Sequence, residues 1–207
     1  MKIKEIIIDR NFPKHWKNIY LIGYMGVGKS STAKHLGNLL DMPVIELDQL
    51  IEDYYGKTIP EIFEEMSEKD FRALETLILA TAIPGGLVKY DLLKGAVFSC
   101  GGGAALSSIN VTAMQNSGKI IWLTASPEEV LNRLSKSSEE DDSDGDTSNG
   151  RPLLKGKMNI ADISDMMELR SPYYEEAADI IIDTDGKTPD AVAGEIIMAL
   201  DLIPSVS

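Results

Sequence analysis

Short apolar runs alternate along the chain with longer segments in which apolar residues recur at helical spacing. The runs are rich in β-branched and aromatic residues, which is typical of buried strands. The predicted strands are Ile19–Ile22, Met42–Asp48, Ala96–Ser99, Lys119–Leu123 and Asp179–Asp183. The predicted helices include Ser31–Leu40, Ser107–Asn116, Ser126–Leu134, Asp162–Ala177 and Pro189–Leu200. This alternation predicts an α/β fold in three layers, a five-stranded parallel sheet covered by helices on both faces.

Three further helices are predicted between the second and third strands from their boundary residues. The first ends at Gly56, because glycine adopts the left-handed C-cap conformation most easily. The second begins at Thr58, with a proline in its first turn and Glu61 at the capping-box position. The third begins near Ser67, and its predicted apolar face comprises Leu74, Leu77, Ile78 and Ala82.

The segment Gly23–Ser30 joins the first strand to the first helix and has the pattern of a glycine, four residues and then Gly-Lys-Ser. Glycines let successive backbone N–H groups converge on phosphate oxygens at a helix N-terminus. In this pattern the lysine reaches the β- and γ-phosphates, and the serine hydroxyl ligates Mg²⁺. A glycine-rich turn with an incidental Lys-Ser pair is the alternative, which the flanking strand and helix disfavour. The predicted ATP-binding residues are Gly26, Val27, Gly28, Lys29, Ser30 and Ser31.

Two other segments follow predicted strands and are expected beside this loop. Glu46–Asp48 ends the second strand, and Gly101–Gly103 follows the third. In open parallel sheets, ligands bind beyond the carboxyl ends of the strands. The sequence therefore predicts one crevice lined by these three segments.

The chain has 207 residues and a formal net charge of −13, with its acids unevenly distributed. The length fits one domain with a substantial core. The tract Ser137–Gly150 contains six acids and no base, which leaves −7 for the rest of the chain. Its low complexity predicts a flexible loop. Nucleic acid is not a predicted partner, because a nucleic-acid groove needs a basic stripe.

The cysteine and histidine content limits the chemistry further. Cys100 is the single cysteine, which excludes an intrachain disulfide and suits a reducing compartment. It ends an apolar run and is interpreted as core packing rather than as a reactive thiol. His15 and His35 lack neighbours at metal-ligand spacing, so zinc is not expected. No apolar run approaches the length of a membrane span, so the cytoplasm is the expected location.

Several motifs occur together in an order that resembles the shikimate kinase family. They cover about residues 18–201, and their ordered combination is specific, although each motif alone is weak. The matching segments are Gly23–Ser30, Glu46–Asp48, Ile51–Glu52, Gly56–Ile59, Glu61–Phe63, Phe71–Arg72 with Glu75, Gly101–Gly103, Arg151–Leu154 and Arg170–Tyr173.

The resemblance implies phosphorylation of the shikimate 3-hydroxyl by MgATP, a step of chorismate and aromatic amino acid biosynthesis. It also implies a nucleoside-monophosphate-kinase-like fold with a mobile lid at about residues 136–160. Lys29, Asp48 and Arg151 match the catalytic positions of the family. Asp48 would orient or deprotonate the acceptor hydroxyl. A helix N-cap is the alternative role for Asp48.

The resemblance also implies a substrate site. Arg72 and Arg170 match the two arginines that bind the shikimate carboxylate, for which a planar guanidinium is well suited. Gly101, Gly102 and Gly103 would bring backbone N–H groups close to the substrate, because no Cβ blocks the approach. The alternatives are surface salt bridges for the arginines and a plain turn for the glycines.

Two more arginines match the nucleotide side of the site. Arg151 corresponds to the lid arginine that approaches the ATP phosphates on closure. Arg133 corresponds, less firmly, to the arginine that packs against adenine, and the loop Asp183–Pro189 corresponds to the adenine lining. A solvated cation at a helix end is an equal alternative for Arg133.

Three positions depart from the family pattern. Ser30 and Glu46 are the expected Mg²⁺ contacts, but Glu46 stands where an aspartate is usual in the family. Its extra methylene would shift the position of the carboxylate relative to the metal. Ser67 stands where a glycine is common, a tolerable change at a helix start. The acidic tract inside the lid would repel ATP unless its side chains point to solvent.

The organisation expected from the sequence is an N-terminal extension, 1–17, followed by a single kinase domain, 18–207. A monomer with small-molecule partners is expected, without nucleic acid or membrane. Two alternative functions are open: another small-molecule kinase of this fold, acting on gluconate or a nucleotide, or a non-catalytic shikimate-kinase-like binding protein. The first conflicts with Arg72, Arg170 and the triple glycine, and the second with the full set of charged residues.

Overall fold

The structure, a computed structural model, describes residues 18–82, 95–141 and 159–202. Several of the predicted features lie outside the described residues: the extension 1–17, the acidic residues 142–150 and Arg151, which matches the lid arginine of the family. The lid prediction for about 136–160 is therefore described only at its two ends.

Five parallel strands form a single sheet in the order β2-β3-β1-β4-β5. β1 is central, and its residue Tyr20 pairs with Phe98 on one side and Ile120 on the other. The strands are β1 Asn18–Ile22, β2 Val44–Glu46, β3 Val97–Ser99, β4 Gly118–Thr124 and β5 Ile180–Asp183. The predicted α/β fold with a five-stranded parallel sheet is confirmed.

Eight α-helices are present in the described part of the chain. They are α1 Lys29–Leu40, α2 Leu47–Tyr55, α3 Ile59–Glu65, α4 Glu68–Ala82, α5 Ser108–Ser117, α6 Pro127–Asp141, α7 Ile160–Ala177 and α8 Pro189–Ala199. None of these helices is long and apolar enough to cross a lipid bilayer.

The sheet is buried on both faces, as the alternation of side chains along β1 demonstrates. Ile19 and Leu21 belong to one hydrophobic cluster, whereas Tyr20 and Ile22 belong to the other. Successive strand residues point to opposite faces, so an uninterrupted apolar run requires a cover on each side. The segments that follow β1, β2 and β3 therefore meet at the carboxyl edge of this covered sheet, where ligands of parallel sheets bind.

Local capping chemistry sets the helix boundaries before the site. Gly56 ends α2 with φ 75°, and Thr58 with Glu61 forms the predicted capping box at the start of α3. The Oγ of Ser67 accepts a hydrogen bond of 3.2 Å from the Asp70 N–H at the start of α4. Ser67 therefore caps α4, so the helix start does not need the glycine that is common at this position in the family.

Three details of the helices differ from the sequence-based expectations. Asp48 lies in the first turn of α2, and Glu46 is the N-cap residue, so β2 is shorter than predicted. On α4, Leu77 is 50% exposed while Glu75 is buried. α6 continues past Leu134 to Asp141, so the first part of the acidic tract is helical and not a loop. No glycine or proline interrupts it there, and helix formation does not require an apolar face at every turn.

Candidate functional site

The loop between β1 and α1 has the conformation of a phosphate cradle. Gly23, Gly26 and Gly28 have φ of 136°, 78° and 94°, in the region that favours glycine. A Cβ on Gly23 would also overlap with the backbone carbonyl of Leu123. No side chain of the described residues caps the N-terminus of α1. The first N–H groups of α1 therefore face the loop, where the helix dipole favours an anion.

Lys29 lies across this loop. Its Nζ donates hydrogen bonds to the carbonyl oxygens of Gly23, at 2.9 Å, and Tyr24, at 2.8 Å. These two bonds fix the position of the ammonium group at the loop, although the lysine side chain is flexible. A fixed positive charge among backbone N–H groups is suited to a polyphosphate.

Ser30 and Glu46 meet beside the loop. The Ser30 Oγ donates to the Glu46 Oε2 at 2.9 Å, and the Ser99 Oγ lies 3.2 Å from the same hydroxyl. The other carboxylate oxygen of Glu46, Oε1, is buried and makes no hydrogen bond within the described residues. An unpaired buried carboxylate oxygen is costly, so this donor set fits a cation.

Two carboxylates converge on Gly101 at the end of β3. A Cβ at this glycine would lie 2.6 Å from the Asp48 Oδ1 and 2.9 Å from the Glu75 Oε1. Glu75 is 1% exposed. Burial raises the pKa of Glu75 against the opposing effect of Arg72, and the charge of Asp48 adds to the increase. Only a glycine leaves room for both carboxylates here.

Arg72 projects from α4 onto the backbone of Gly103. Its Nη1 donates to the Glu75 Oε2 at 3.0 Å and its Nη2 to the Glu68 Oε1 at 3.3 Å. The guanidinium occupies the space that a Cβ on Gly103 would need. Burial alone would lower the pKa of Arg72, but the two glutamates outweigh it and the pKa is raised. Arg72 is therefore a fixed cation and not a mobile surface charge.

Arg170 reaches the same place from α7 and is 9% exposed. Its guanidinium lies over the Tyr24 ring at 5.7 Å, and its Nη1 is 3.7 Å from the position of a Cβ on Gly102. The Tyr174 hydroxyl donates to the Gly102 carbonyl at 2.5 Å. A Cβ on Gly102 would also lie 3.7 Å from the carbonyl oxygen of Gly23. The triple glycine thus lies between both arginines and the phosphate loop.

Arg133 lies inside α6, on the other side of the phosphate loop. Its Nε donates to Glu129 at 2.8 Å, while Nη1 and Nη2 donate to the hydroxyl and carbonyl of Thr184 at 3.0 and 2.7 Å. Its Nη1 is 3.7 Å from the position of a Cβ on Gly28. The alternative of a solvated cation at a helix end is wrong, because the side chain is bonded on three sides in mid-helix.

The structure therefore brings together most of the residues proposed from the sequence. Asp48, Arg72 and Arg170 surround Gly101–Gly103, and Lys29 with Ser30 lies across the phosphate loop. Cys100 is buried, and burial raises the pKa of its thiol, so the interpretation as core packing is confirmed. Arg151 lies outside the described residues.

Three residues of the site had no role in the sequence-based interpretation. Glu75 was part of a matching motif, and its spacing of three from Arg72 could have suggested a helical ion pair. Tyr24 belongs to the phosphate-loop segment without a role of its own there, yet its ring lies against the Arg170 guanidinium. Thr184 lies in the loop that the resemblance placed at the adenine, but the sequence gives it no individual role, because its hydrogen-bond partners are distant along the chain.

A family model described as shikimate kinase matches residues 25–201. The chain belongs to the shikimate kinase family. The shikimate kinase of Moorella thermoacetica is 37% identical over 183 residues, which are 88% of this chain and 94% of that protein. The shikimate kinase of Enterococcus faecalis is 34% identical over 89% of this chain and 98% of its own. A solved structure of the Acinetobacter baumannii shikimate kinase in complex with shikimate has a TM-score of 0.74 at 30% identity, covering 90% of this chain and 94% of that one.

Membership of the shikimate kinase family confirms the resemblance drawn from the motifs. It makes the chain an ATP-dependent kinase that phosphorylates shikimate. The family match also favours this activity over the gluconate and nucleotide kinases that share the fold. The individual roles of the site residues are a separate question, which the geometry addresses.

Proposed function

We propose that this crevice holds ATP at Gly26–Ser31 and shikimate at Gly101–Gly103, and that it transfers the γ-phosphoryl group to the shikimate 3-hydroxyl. The observation that carries the proposal is the convergence of three strand ends. Asp48 and the two arginines surround the triple glycine, whose Gly102 lies against Gly23 of the phosphate loop. Donor and acceptor would therefore meet where the carboxylate of Asp48 is also present.

On the donor side, the loop N–H groups and Lys29 would bind the β- and γ-phosphates. Arg133 would lie against the adenine, since Thr184 and Glu129 hold its guanidinium plane at a fixed position. Arg151, from the lid, would add positive charge to the transferred group. Phosphoryl transfer depends mainly on such positioning and charge neutralisation.

Magnesium is the metal that the donor set fits best. Ser30 and Glu46 supply only oxygen atoms, and one carboxylate oxygen of Glu46 is buried without a hydrogen bond. The described residues contain no group of three or more histidine, cysteine or acidic side chains that could hold a metal by itself. This is expected for Mg²⁺, which takes one or two protein ligands together with phosphates and water. When bound, the ion would neutralise charge on the β- and γ-phosphates.

On the acceptor side, Arg72 and Arg170 would bind the shikimate carboxylate from α4 and α7. Both guanidinium groups are already oriented, Arg72 by Glu75 and Arg170 by the Tyr24 ring. Preorganised donors lose little entropy on binding, which favours affinity. Glu75 would act on Arg72 and not on the substrate directly.

Asp48 would accept the proton of the acceptor hydroxyl as the new bond forms. The hydroxyl oxygen then bonds to the γ-phosphorus, the bond from this phosphorus to the β–γ bridging oxygen breaks, and the proton passes to the carboxylate of Asp48. Lys29 and Arg151 would stabilise the charge on ADP and on the transferred group. The products are ADP and a shikimate phosphate ester.

The proposed function is tested by measuring ADP release with shikimate, gluconate and a nucleoside monophosphate as acceptors. We expect turnover with shikimate only, and loss of turnover when EDTA removes Mg²⁺. Turnover with gluconate or a nucleotide but not shikimate would overturn the proposal. Shikimate binding without ADP release from any acceptor would support a non-catalytic binding protein instead.

Replacing Gly103 by alanine is expected to raise the KM for shikimate about 10- to 100-fold, the equivalent of one lost charge-assisted hydrogen bond. The φ of −103° allows alanine, but the new Cβ would displace the Arg72 guanidinium. The KM for ATP should change little, because the substitution does not touch the phosphate loop. The melting temperature should fall, since the displaced guanidinium no longer pairs with the buried Glu75 carboxylate. Steady-state kinetics in both substrates checks this.

Gly194→Ala is the matched control for this variant, since Gly194 lies in α8 and a Cβ there meets nothing within 4 Å. Its KM for shikimate should equal that of the parent protein. An unchanged KM in Gly103→Ala would contradict the role assigned to Arg72.

The domain organisation, location and assembly stay predictions from the sequence. We expect residues 18–207 to form one kinase domain with a lid at about 136–160, and residues 1–17 to form an extension. The single cysteine supports a reducing compartment such as the cytoplasm. The expected monomer can be checked by light scattering.

A further inference from the structure

Thr184 is the residue where four parts of the nucleotide side meet. It follows β5 directly and is 2% exposed. Its hydroxyl lies 3.1 Å from the Val27 carbonyl of the phosphate loop and 2.9 Å from the Thr124 carbonyl at the end of β4. The same hydroxyl accepts a hydrogen bond from Arg133 of α6 at 3.0 Å. No role in phosphoryl transfer follows from its residue type alone.

The Thr184 hydroxyl has one proton, which the Val27 and Thr124 carbonyls share. Its contact with Val27 has a consequence for the phosphate loop. The carbonyl of Val27 and the N–H of Gly28 belong to one peptide group, and the described peptide bonds are all trans. In a trans peptide the C=O and N–H lie in one rigid plane and point in opposite directions within it. A hydroxyl that holds the Val27 carbonyl on the outside of the loop therefore turns the Gly28 N–H towards the inside, where the phosphates would bind.

The bonds to Arg133 act on the other end of the nucleotide. The hydroxyl and the carbonyl of Thr184 accept hydrogen bonds from Nη1 and Nη2 of Arg133, respectively. This bidentate contact fixes the plane of the guanidinium. Arg133 reaches this position from α6, which is separated from Thr184 by β5 and α7 in the chain. Without the threonine hydroxyl, one of the two bonds that orient Arg133 would be lost.

We propose that the Thr184 hydroxyl is a positioning group for ATP: it orients the Gly28 N–H towards the phosphates through Val27 and fixes the Arg133 guanidinium for the base. The proposal rests on the proposed function, which places the phosphates at this loop and the base at Arg133. Thr184 itself contacts neither the reacting atoms nor shikimate. Its effect is therefore confined to nucleotide affinity.

The test compares Thr184→Val, which keeps the shape but removes the hydroxyl, with Thr184→Ser, which keeps the hydroxyl. Calorimetric titration with MgADP should give a Kd at least about tenfold higher for Thr184→Val, because one hydroxyl with a charged partner is lost. The Kd of Thr184→Ser should be near that of the parent protein. The KM for ATP should follow the Kd, while the shikimate Kd stays unchanged. An unchanged ADP Kd in Thr184→Val would overturn the proposal.

A second, half-buried hydroxyl distinguishes positioning of the nucleotide from a merely structural role. The Ser117 Oγ lies 2.7 Å from the Tyr20 hydroxyl, at the opposite end of the sheet. Ser117→Ala should lower the melting temperature without changing the Kd for ADP. If Thr184→Val weakens ADP and shikimate equally, or if Ser117→Ala weakens ADP as much, the effect is one of general stability and the proposal is wrong.

Inorganic tripolyphosphate distinguishes the two arms of the proposal. Arg133→Ala leaves the contact between Thr184 and Val27 in place but removes a cation near Gly28, so it should weaken ADP much more than tripolyphosphate. Thr184→Val should weaken both ligands, and an unchanged tripolyphosphate affinity would overturn the action on the phosphate loop. A parent protein that binds ADP but does not phosphorylate shikimate would contradict the proposed function and leave this comparison intact.

Discussion

The Asp48→Asn variant is expected to lose about 10²- to 10⁴-fold in kcat with shikimate, the range that a positioned general base contributes. Asparagine keeps the shape and one oxygen, but it cannot take up the proton of the acceptor hydroxyl. Because the amide is uncharged, the pKa of Glu75, which the charge of Asp48 raises, should fall. The KM for ATP should change little, since Asp48 is not part of the phosphate loop proposed to bind ATP. Rapid-quench kinetics of the phosphoryl-transfer step is the direct measurement.

Asp53→Asn is the control for this experiment. Asp53 belongs to the same helix, α2, and its carboxylate accepts a hydrogen bond from Gln49 at 3.0 Å on the exposed side. Its loss should leave kcat unchanged. If Asp48→Asn retained more than about a tenth of the parent kcat, the range for general bases would not be met and Asp48 would have only an orienting role.

The Lys29→Ala variant is expected to lose about 10²- to 10³-fold in kcat, as when a fixed donor to a developing charge is removed. The physical reason is twofold. The ammonium would neutralise the β- and γ-phosphates, and its bonds to the carbonyls of Gly23 and Tyr24 hold the loop in shape. The ATP KM should rise as well, whichever acceptor is used. Shikimate binding, measured by calorimetry without nucleotide, should be unaffected.

Lys34→Ala serves as the comparison, because Lys34 is an exposed lysine of the same helix. Its kinetics should match those of the parent protein. A Lys29→Ala variant with a raised KM for shikimate alone would contradict the assignment of Lys29 to the donor. Together with Gly103→Ala, these variants separate donor, acceptor and proton transfer within one crevice.

The helix boundaries and the phosphate loop could be predicted because each depends on neighbouring residues. The capping box of Thr58 and Glu61 is complete within four positions, and Gly23–Ser30 carries its own glycines, lysine and serine. The alternation of apolar runs and helical segments also predicted the number of parallel strands. Boundaries were less certain where no residue stops an element, as in α6, which continues to Asp141.

The sequence also identified, through motifs whose order matches a family, the charged residues that the structure brings together around the triple glycine. It did not determine how those residues are held. The burial of Glu75 is one example. Leu77 is predicted to face the core, and a glutamate two positions earlier on the same helix would then be expected on the opposite, solvent-facing side. The pairing with Arg72 and the packing of α4 against the triple glycine decided otherwise.

For this protein the sequence by itself specified the phosphate loop, the parallel sheet and the acidic and basic side chains at its carboxyl edge. The tertiary structure alone decided which distant residues orient them. Thr184 and Val27 are 157 positions apart, and Arg133 and Thr184 are 51 positions apart. No local propensity encodes such contacts, because they form only when the strand order β1-β4-β5 brings three separate strand ends to one edge. Local chemistry follows from neighbours in the chain, and positioning follows from neighbours in space.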